Sequence, residues 1–513
     1  MIEKFFRSIL LVGLAVAGVD TACAQTPAVA SDKPPAPPPV RREFRGVWVA
    51  SVENIDWPSR PGLSTAEQQN ELLAILDRAS ALRLNAVILQ VRPAADALYA
   101  SPYEPWSEYI TGQMGRAPSP YYDPLEFAVR EAHRRGLELH AWFNPYRAHH
   151  PSGRSAPAKN HISVTHPEWV KRYGSHLWMD PGEPGVREHS IRVVLDVVRR
   201  YDIDGVHIDD YFYPYKEHDS RGRLIEFADA ESYRRYLASG GRLSRDDWRR
   251  ANVDSLILGV YTGIKRVKPW VKFGISPFGL WRPGYPPGAN GFDSYAELYG
   301  DSRKWLVNGW ADYFTPQLYW PTWREGLSYP VLLQWWVQQN VKGRHMWPGN
   351  YIDRVDGKPT GWPAQELINQ IDLTRSQLGA TGNVFFSMRS LMVGHDSLPE
   401  KLVSAPYATR ALIPASPWLD SVSPLSPIVA LGRNTSGAPT ATIQQRGPKQ
   451  VWLWVVRLHG GTDWTTDIIP AAERSVVITR FDNGAYADAV AVSAVDRTGN
   501  ESPPTVIQIP APR

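Results

Sequence analysis

At 513 residues, the chain is long enough for one large catalytic domain and a small accessory domain. Its net charge of +4, from 56 basic and 52 acidic residues, argues against a nucleic-acid-binding protein, and its single cysteine excludes a disulfide framework. The unusual feature is the content of 21 tryptophans and 23 tyrosines, because aromatic rings stack on sugars as well as filling cores.

The first 24 residues have the pattern of a secretory signal peptide. A basic start is followed by an apolar run over residues 9–19 and by an A-x-A cleavage site at Ala22-Cys23-Ala24. The run is too short to span a membrane. A lipid anchor on Cys23 is disfavoured, because Asp20 stands where bacterial lipoprotein signals usually carry leucine. We therefore predict export across the inner membrane to the periplasm, with a lipoprotein as the alternative.

Residues 25–42 are predicted to form a Pro-rich tether, and residues 43–415 alternate between strand-like and helical patterns. The strand candidates are 46–50, 86–91, 137–143, 205–209, 272–276, 313–318, 345–348 and 384–387. A capping box at Ser64-Thr65-Ala66-Glu67 predicts a helix to Leu82. Further helices are predicted over 124–135, 186–201, 245–267, 329–339 and 364–378.

Eight such units predict an α/β fold, a (β/α)8 TIM barrel, with a doubly wound open sheet as the alternative. After Leu419 the helical patterns end, and short alternating strands follow over 451–458, 475–479 and 489–495. The stretch from Ala491 to Ser502 resembles the final hairpin of fibronectin type III modules. Residues 420–513 are therefore predicted to form a C-terminal, all-β, fibronectin type III-like sandwich.

The stretch 205–214, Gly-Val-His-Ile-Asp-Asp-Tyr-Phe-Tyr-Pro, carries the strongest functional signal. A short apolar strand ends in two adjacent acids, Asp209 and Asp210, followed by aromatic residues. Sugar-cleaving α/β barrels carry their catalytic carboxyl groups at this end of the strands. Asp209 is the first catalytic candidate because it shares the inward face with His207, and Asp210 is the second. Alternatively, one of the two acids caps the next segment or pairs with an arginine.

Asp56, after the first strand, is the leading candidate for a catalytic carboxylate from another strand, and a turn residue before Trp57-Pro58 is the alternative. Other strand ends combine rings with groups suited to sugar hydroxyl, acetamido or carboxylate groups. The predicted substrate-binding residues are Arg92, Trp142, Asn144, Arg147, His207, Tyr211, Trp281, Gln317, Tyr319 and Trp320. For each one, core packing or a contact between strands is the alternative.

Metal-dependent hydrolysis is a further alternative, because four histidines follow the third strand at positions 149, 150, 161 and 166. The spacing of His161 and His166 differs from the His-x3-His pair of metal-dependent deacetylases, and nothing nearby completes a ligand set. No G-x-S-x-G motif supports serine esterase chemistry. We therefore predict neither a metal nor a cofactor.

In combination, these motifs resemble the glycosyl hydrolase-like 10 family. The matching blocks are 43–50, 54–59, 85–87, 90–93, 140–147, 204–214, 274–279, 312–313 and 316–320. The resemblance implies an exported bacterial (β/α)8 glycosidase. Since one subset of the family hydrolyses peptidoglycan glycan strands stripped of their stem peptides, it also implies a β-1,4-linked GlcNAc–MurNAc polysaccharide as substrate.

The chain departs from true family 10 xylanases, which place paired glutamates on strands 4 and 7. Its predicted seventh strand ends in Trp347-Pro348-Gly349-Asn350, without an acid. The second catalytic carboxylate and the choice between retention and inversion are open at this point. The alternatives to a peptidoglycan hydrolase are a non-catalytic envelope polysaccharide-binding protein and a hydrolase of another envelope polysaccharide.

Overall fold

Strands and helices alternate from residue 44 to residue 404 of the computed structural model, which describes residues 36–481 and 484–510. The predicted signal peptide and most of the tether lie outside these residues. The strands are β1 Phe44–Val49, β2 Ala86–Arg92, β3 Glu138–Phe143, β4 Arg147–His149, β5 Val170–Tyr173, β6 His176–Met179, β7 Gly205–Ile208, β8 Lys272–Ile275, β9 Tyr313–Phe314, β10 His345–Met346, β11 Gly349–Tyr351 and β12 Gly382–Phe386.

The predicted helices are confirmed with small changes at their ends. The helices are α1 Thr65–Ala81, α2 Glu108–Thr111, α3 Pro124–His133, α4 Ile162–Thr165, α5 Pro184–Arg200, α6 Ala230–Ala238, α7 Arg245–Val267, α8 Ser294–Glu297, α9 Ser302–Asn308, α10 Tyr329–Gln339, α11 Ala364–Ser376, α12 Met388–Val393 and α13 Leu398–Ser404. The capping box is present, since Ser64 accepts from the backbone of Glu67 and Glu67 accepts from that of Ser64. Within the described residues, no helix has the length and apolar character needed to cross a membrane.

In the described part of the chain, nine of these strands form one parallel sheet in the order β10-β9-β8-β7-β3-β2-β1-β12-β11. Only Trp347 and Pro348 separate the two edge strands β10 and β11. Trp347 N–H donates to the Phe314 carbonyl at 2.9 Å, and Val384 N–H donates to the Pro348 carbonyl at 3.0 Å. One stretch of chain therefore contacts both β9 and β12, and the sheet is curled.

Prolines explain where two predicted strands differ from the structure. The predicted strand 345–348 is interrupted at Pro348, which has no N–H to donate, and resumes as β11. The predicted strand 313–318 is wrong in length, because β9 ends at Phe314, two residues before Pro316. The prediction of a parallel α/β fold is confirmed.

Aromatic side chains fill the interior of the curled sheet. The ring of Phe44 stacks on that of Trp347 with centroids 3.7 Å apart, and Tyr313 packs against Trp347 at 4.7 Å. Trp48 and Trp142 belong to the same buried cluster. Much of the high tryptophan content therefore serves core packing, and this layer supports the side chains at the C-terminal ends of the strands.

A small antiparallel sheet of β4, β6 and β5 follows β3 and was not predicted. Its strands are only three or four residues long, so they carry too little alternation to be recognised in the sequence. It brings Trp178 close to Arg147, with the guanidinium carbon 6.0 Å from the indole centroid.

The region after Leu419 is all-β, as predicted. Its strands are β13 Ile428–Arg433, β14 Pro439–Gln444, β15 Leu453–Gly460, β16 Asp463–Pro470, β17 Ser475–Val477, β18 Ala489–Val495 and β19 Thr505–Gln508. Among the described residues they form one antiparallel sheet in the order β13-β14-β17 and another in the order β16-β15-β18-β19. Trp454 lies in the core of this region, which is the usual position of a tryptophan on a strand of a β-sandwich.

This C-terminal region contacts the segments that precede the parallel strands. Asp204, just before β7, pairs with Arg497 of this region at 3.1 Å. Asp312, just before β9, accepts from the indole of Trp418, which directly precedes the region, at 2.9 Å. Arg497 also lies over the ring of Trp452 at 5.0 Å. The region therefore covers the N-terminal ends of the strands, at the end of the sheet opposite Asp209.

Replacing Arg497 with alanine is expected to lower the free energy of unfolding by about 3 kcal/mol, because it removes a partner from the buried Asp204 carboxylate. Burial alone would raise the pKa of Asp204, but the charges of Arg497 and His133 outweigh it and hold that pKa well below its usual range. Denaturant unfolding of the full chain measures the change. Arg446→Ala, at an exposed position, is the control; equal effects of the two substitutions would contradict the assignment.

Candidate active site

A cavity of about 400 Å³ opens at the C-terminal ends of the parallel strands. It is lined by Trp48, Ala50, Val52, Glu53, Ile55, Gln90, Trp142, Arg147, His150, Asp209, Asp210, Tyr211, Ser276, Gln317, Tyr319, Tyr351 and Phe386. Rings and charged groups are thus combined in one cavity, within the size range of small-ligand sites. Besides Asp209 and Asp210, five of the predicted site residues line it: Trp142, Arg147, Tyr211, Gln317 and Tyr319. A sixth, Asn144, supports the site through its contact with Asp209.

The position of Asp209 follows from strand register. Phe143 of β3 is paired with Ile208 of β7, so the next residues, Asn144 and Asp209, lie side by side at the cavity. The Asn144 side-chain amide donates to both Asp209 oxygens at 2.8 and 2.7 Å, and the Trp142 indole N–H donates at 3.1 Å. Burial, reinforced by the charge of Asp210, raises the pKa of Asp209 to about 7.

Asp210 faces the same cavity but has different partners. The Tyr215 hydroxyl donates to one of its oxygens, and the side chain of Gln317 also hydrogen-bonds to it. Burial raises the pKa of Asp210 as well, against the effect of these hydrogen bonds. Burial thus favours the protonated form of both carboxyl groups, and the charge of Asp210 further opposes ionisation of Asp209.

Gln90 of β2 connects the carboxylate Asp209 to the loop after β1. Its side-chain oxygen accepts from the backbone N–H groups of Ser51 at 2.9 Å and Val52 at 2.8 Å. Its side-chain nitrogen donates to Asn144 Oδ1 at 2.6 Å, and Asn144 in turn holds Asp209. Gln90 was not among the predicted site residues. The available signal was a polar residue inside an otherwise apolar strand, where an unpartnered amide would be costly.

Arg147 places a buried positive charge beside the two acids. Its guanidinium carbon lies 4.6 Å from the centroid of the Tyr211 ring, and one of its nitrogens donates to the Pro93 carbonyl at 3.3 Å. Its Nε is buried and has no hydrogen-bond partner among the described residues. The positive charge opposes the rise in the pKa of Asp209. Arg147 therefore retains a donor for a ligand while it balances the charge of the acids.

Aromatic rings form the walls of the cavity. Tyr319 stacks on Tyr351 with centroids 4.9 Å apart, and Phe386 lies 6.2 Å from Tyr319. Tyr319 was predicted as a stacking residue, whereas Tyr351 and Phe386 were not singled out. Half-buried rings of this kind suit the apolar faces of pyranose sugars.

Two predicted binding residues are not part of the cavity lining. Arg92 is fully occupied by a buried ion pair with Glu104, at 2.8 and 2.5 Å, and by a 2.6 Å bond to the Asn144 carbonyl, and Glu104 also hydrogen-bonds to His189 of α5. His207 accepts from the Trp48 indole at 3.1 Å and hydrogen-bonds to Tyr313, and burial holds its pKa well below its ordinary value. Arg92 therefore holds the backbone at Asn144, and His207 supports the site from inside the sheet.

Two predicted stacking residues also lie outside the cavity. Trp281 stacks on Trp335 at 5.9 Å and donates to Asp301, so its ring belongs to the packing between loop and helix. Trp320 packs edge-on against Phe278 at 5.7 Å. The alternative of core packing therefore applies to these two residues.

Asp56 is not brought to the carboxylate pair. It accepts from the backbone of Ala50 at 2.7 Å, from the Ser387 hydroxyl at 2.8 Å and from the backbone of Arg389 at 2.7 Å. It lines a different cavity, and burial raises its pKa to about 6. Its contacts fasten the loop after β1 to the segment after β12, a role that a carboxylate with three donors fills well.

The histidines after β3 do not converge on one point. His161 hydrogen-bonds to the Ala94 carbonyl at 3.2 Å and caps α4, whereas His166 stacks on Trp169 at 4.0 Å. His150 lies at the cavity, 3.4 Å from Glu53. Over residues 36–481 and 484–510, no group of three or more His, Cys, Asp or Glu side chains is arranged to hold a metal ion.

The raised pKa of Asp209 predicts a pH-dependent effect of Asp209→Asn on stability. A carboxyl whose pKa is raised on folding stabilises the native state below its unfolded pKa, and this contribution is lost as the pH rises from about 4 to about 7. The variant is therefore expected to exceed wild type by about 2 kcal/mol in unfolding free energy at pH 8 and to match it near pH 4.

Urea unfolding between pH 4 and pH 8 measures this difference. Glu126→Gln, which changes an exposed carboxylate, is the control and should leave the pH dependence unaltered. Parallel stability curves for wild type and Asp209→Asn would show that Asp209 is ionised throughout this range.

Comparisons with known proteins agree with the geometry. Residues 43–355 match the glycosyl hydrolase-like 10 family. The chain is 42% identical over 396 residues to glycosyl hydrolase YngK of Bacillus subtilis strain 168, covering 75% of this chain and 76% of that protein. It is 38% identical over 418 residues to glycosyl hydrolase DigH of Escherichia coli strain K12, covering 74% of this chain and 92% of that protein.

Among solved structures, the PgaB (BpsB) glycoside hydrolase domain from Bordetella bronchiseptica aligns with a TM-score of 0.47 and 14% identity, covering 71% of this chain and 98% of that chain. The family that the motifs indicated is confirmed by the match over residues 43–355 and by the extent of the similarity to both relatives. The chain belongs to the glycosyl hydrolase-like 10 family of glycoside hydrolases.

Proposed function

We propose that the protein cleaves β-1,4-linked amino-sugar glycan in the bacterial envelope, and specifically peptidoglycan glycan strands that lack stem peptides. The observation that carries this proposal is the pair of buried carboxyl groups, Asp209 and Asp210, in an aromatic cavity at the C-terminal ends of parallel strands. Carboxyl groups with raised pKa values in such a site protonate a leaving glycosidic oxygen.

Arg147 favours an anionic amino sugar. Its side chain is only 4% exposed, lines the cavity and retains an unpartnered Nε. A muramic acid residue carries a lactyl carboxylate, which is a suitable acceptor for a guanidinium donor. The absence of stem peptides fits the same site, because this lactyl carboxylate is free only when no peptide is attached to it.

The remaining parts of the chain support an exported enzyme. The signal-like residues 1–24 favour secretion to the periplasm, and the curled parallel sheet is consistent with a (β/α)8 barrel closed by the interrupted strand 345–351. The two antiparallel sheets after residue 419 are consistent with a fibronectin type III-like module. Because this module covers the strand ends away from the cavity, we assign it a supporting role.

Asp209→Asn and Asp210→Asn are each expected to lower kcat on peptide-stripped glycan strands by at least about 1,000-fold, because each removes a carboxyl group that acts on the scissile bond. Binding of the strands is expected to change much less. The measurement is mass spectrometry of released fragments, beside a co-sedimentation assay for binding. Intact sacculi are tested in parallel and are expected to release far less.

Asp180→Asn is the matched control, since Asp180 is also a buried carboxyl with a pKa raised by burial to about 6, but lies outside the cavity. It is expected to retain cleavage. If wild type binds stripped strands and never shortens them, the peptidoglycan hydrolase proposal fails. If another envelope polysaccharide is cut instead, only the choice of substrate is wrong.

Gln90→Leu is expected to lower kcat by roughly 10- to 100-fold with a small change in KM, because it frees Asn144 and the loop after β1. Gln90→Glu keeps the acceptor for the Ser51 and Val52 N–H groups and is expected to restore part of the loss. Steady-state kinetics of both variants make the comparison. A loss that appears only in KM would contradict the positioning role.

A further inference from the structure

The two carboxyl groups of the site come from consecutive residues, and this limits the mechanism. Catalysis by two enzyme carboxylates requires one on each side of the scissile bond, separated by about 5 Å in retaining enzymes and more in inverting ones. Asp209 and Asp210 instead project from the end of a single strand, β7, and their charges interact directly. The pair therefore occupies one wall of the cavity.

One further carboxylate lines the cavity among the described residues, and its surroundings differ. Glu53 lies at the rim, with 48% of its side chain exposed, and one of its carboxylate oxygens lies 3.4 Å from Nε2 of His150. Burial and the charge of Arg147 lower the pKa of His150 to about 3, so this imidazole is neutral. Among the described residues, no hydrogen bond holds the Glu53 carboxylate toward the acid pair. The lining that these residues form therefore offers no fixed carboxylate nucleophile on the wall opposite the pair.

The hydrogen bonds around the two acids suit them to different tasks. Asp209 accepts at both oxygens from fixed donors, the Trp142 indole N–H and the Asn144 amide, and these hydrogen bonds favour its ionised form against the effect of burial. Asp210 is held by the Tyr215 hydroxyl and the Gln317 amide. A hydroxyl and an amide can each donate or accept, so Asp210 can release and regain a proton without losing its partners.

Apolar surface lies beside Asp209. The Trp142 indole that donates to Asp209 also lines the cavity, together with Trp48 and the small side chain of Ala50. A carboxylate next to an apolar floor matches the two ends of a 2-acetamido group, whose N–H donates to the carboxylate and whose methyl group packs on the rings.

We propose that the nucleophile is the substrate's own 2-acetamido group, held by Asp209, while Asp210 is the general acid and base. This inference rests on the proposed function and defines the substrate as an N-acetylated hexosamine on the non-reducing side of the cleaved bond. Substrate-assisted catalysis of this kind needs enzyme carboxyl groups on only one side of the scissile bond, because the acetamido group takes the place of a carboxylate on the other side.

The reaction then proceeds in two balanced steps. Asp210 gives its proton to the glycosidic oxygen, the acetamido carbonyl oxygen bonds to C1, and the C1–O bond breaks with its electron pair leaving on that oxygen. The resulting oxazolinium N–H donates to the Asp209 carboxylate. In the second step, the ionised Asp210 takes a proton from a water molecule, and the oxygen of that water bonds to C1. The bond between C1 and the oxygen of the oxazolinium ring breaks, which restores the acetamido group. The product therefore retains its anomeric configuration.

Three measurements on the full-length protein test this proposal. Proton NMR of peptide-stripped strands should show initial products with the β configuration. N-deacetylated strands should be cleaved at least about 1,000-fold more slowly, and chemical re-acetylation should restore cleavage. GlcNAc-thiazoline, a stable mimic of the oxazoline, should bind at least about 100-fold more tightly than GlcNAc by calorimetry, and Asp209→Asn should abolish this advantage.

Variants separate the two roles. On an oligosaccharide glycoside with a dinitrophenolate leaving group, which needs no protonation, Asp210→Asn should recover activity, and azide should accelerate it further. The activity of Asp209→Asn should rise neither with the dinitrophenolate leaving group nor with azide. The substitution Glu53→Gln tests the alternative, since a loss of about 1,000-fold with rescue by azide would identify Glu53 as an enzyme nucleophile or base and overturn the proposal.

The outcomes distinguish this inference from the proposed function. Inverted products, or equal cleavage of N-acetylated and N-deacetylated strands, would overturn substrate assistance while leaving the protein a peptidoglycan hydrolase. If stripped strands are never cleaved, the proposed function fails. The affinity for GlcNAc-thiazoline then still shows whether the cavity has a site for a 2-acetamido group. Thiazoline binding no tighter than that of GlcNAc would exclude that site.

Discussion

Burial of two neighbouring carboxyl groups at the end of β7 is the constraint around which the site is built. An ionised carboxylate removed from water is costly unless it is paired and hydrogen-bonded. Asp209 is held by Trp142 and Asn144, Asp210 by Tyr215 and Gln317, and Arg147 supplies the balancing charge. The donors come from different strands and loops, so the acids can be accommodated only when the whole curled sheet has formed. The site and the fold are therefore coupled.

Gln90 shows how this coupling is transmitted. Its side-chain oxygen accepts hydrogen bonds from two backbone N–H groups of the loop after β1, and its side-chain nitrogen donates to Asn144, which holds Asp209. Because both ends of the amide are used, the loop and the carboxylate are fixed relative to one another without a charged group between them. Close packing is needed beneath them as well. A Cβ on Gly205 would meet the His140 ring at 2.4 Å, so only glycine lets β7 approach β3 this closely.

Acids at the N-terminal ends of the parallel strands stabilise the fold, whereas acids at the C-terminal ends form the candidate active site. At the N-terminal ends, Asp204 contacts Arg497 of the C-terminal β region, and Asp312 contacts Trp418 just before that region. The charge of Arg497 opposes the effect of burial on the pKa of Asp204. At the C-terminal ends, burial dominates, and the pKa of Asp209 is raised. Buried acids thus strengthen the fold at one end, where they are ionised and paired, and form the candidate site at the other, where their pKa values are raised at some cost in stability.

The sequence by itself determined the elements that depend on local pattern. The capping box at Ser64, the helix over Arg245–Val267 and the strand Ala489–Val495 follow from capping chemistry and periodicity, which act over a few neighbouring residues. The sequence also identified Asp209 and Asp210 as unusual, because adjacent acids after an apolar strand have no place in a core.

Only the tertiary structure decided which polar residues line the cavity. Arg92 and His207 come from the same strand ends as the cavity residues, yet Arg92 is occupied by Glu104 of the loop after β2 and His207 by Tyr313 of β9. Gln90 and Tyr351 reach the cavity although neither was singled out. Strand periodicity specifies the face on which a side chain lies, but its depth and its partners depend on strand register and on distant loops. Those are long-range quantities, and no local pattern in the sequence encodes them.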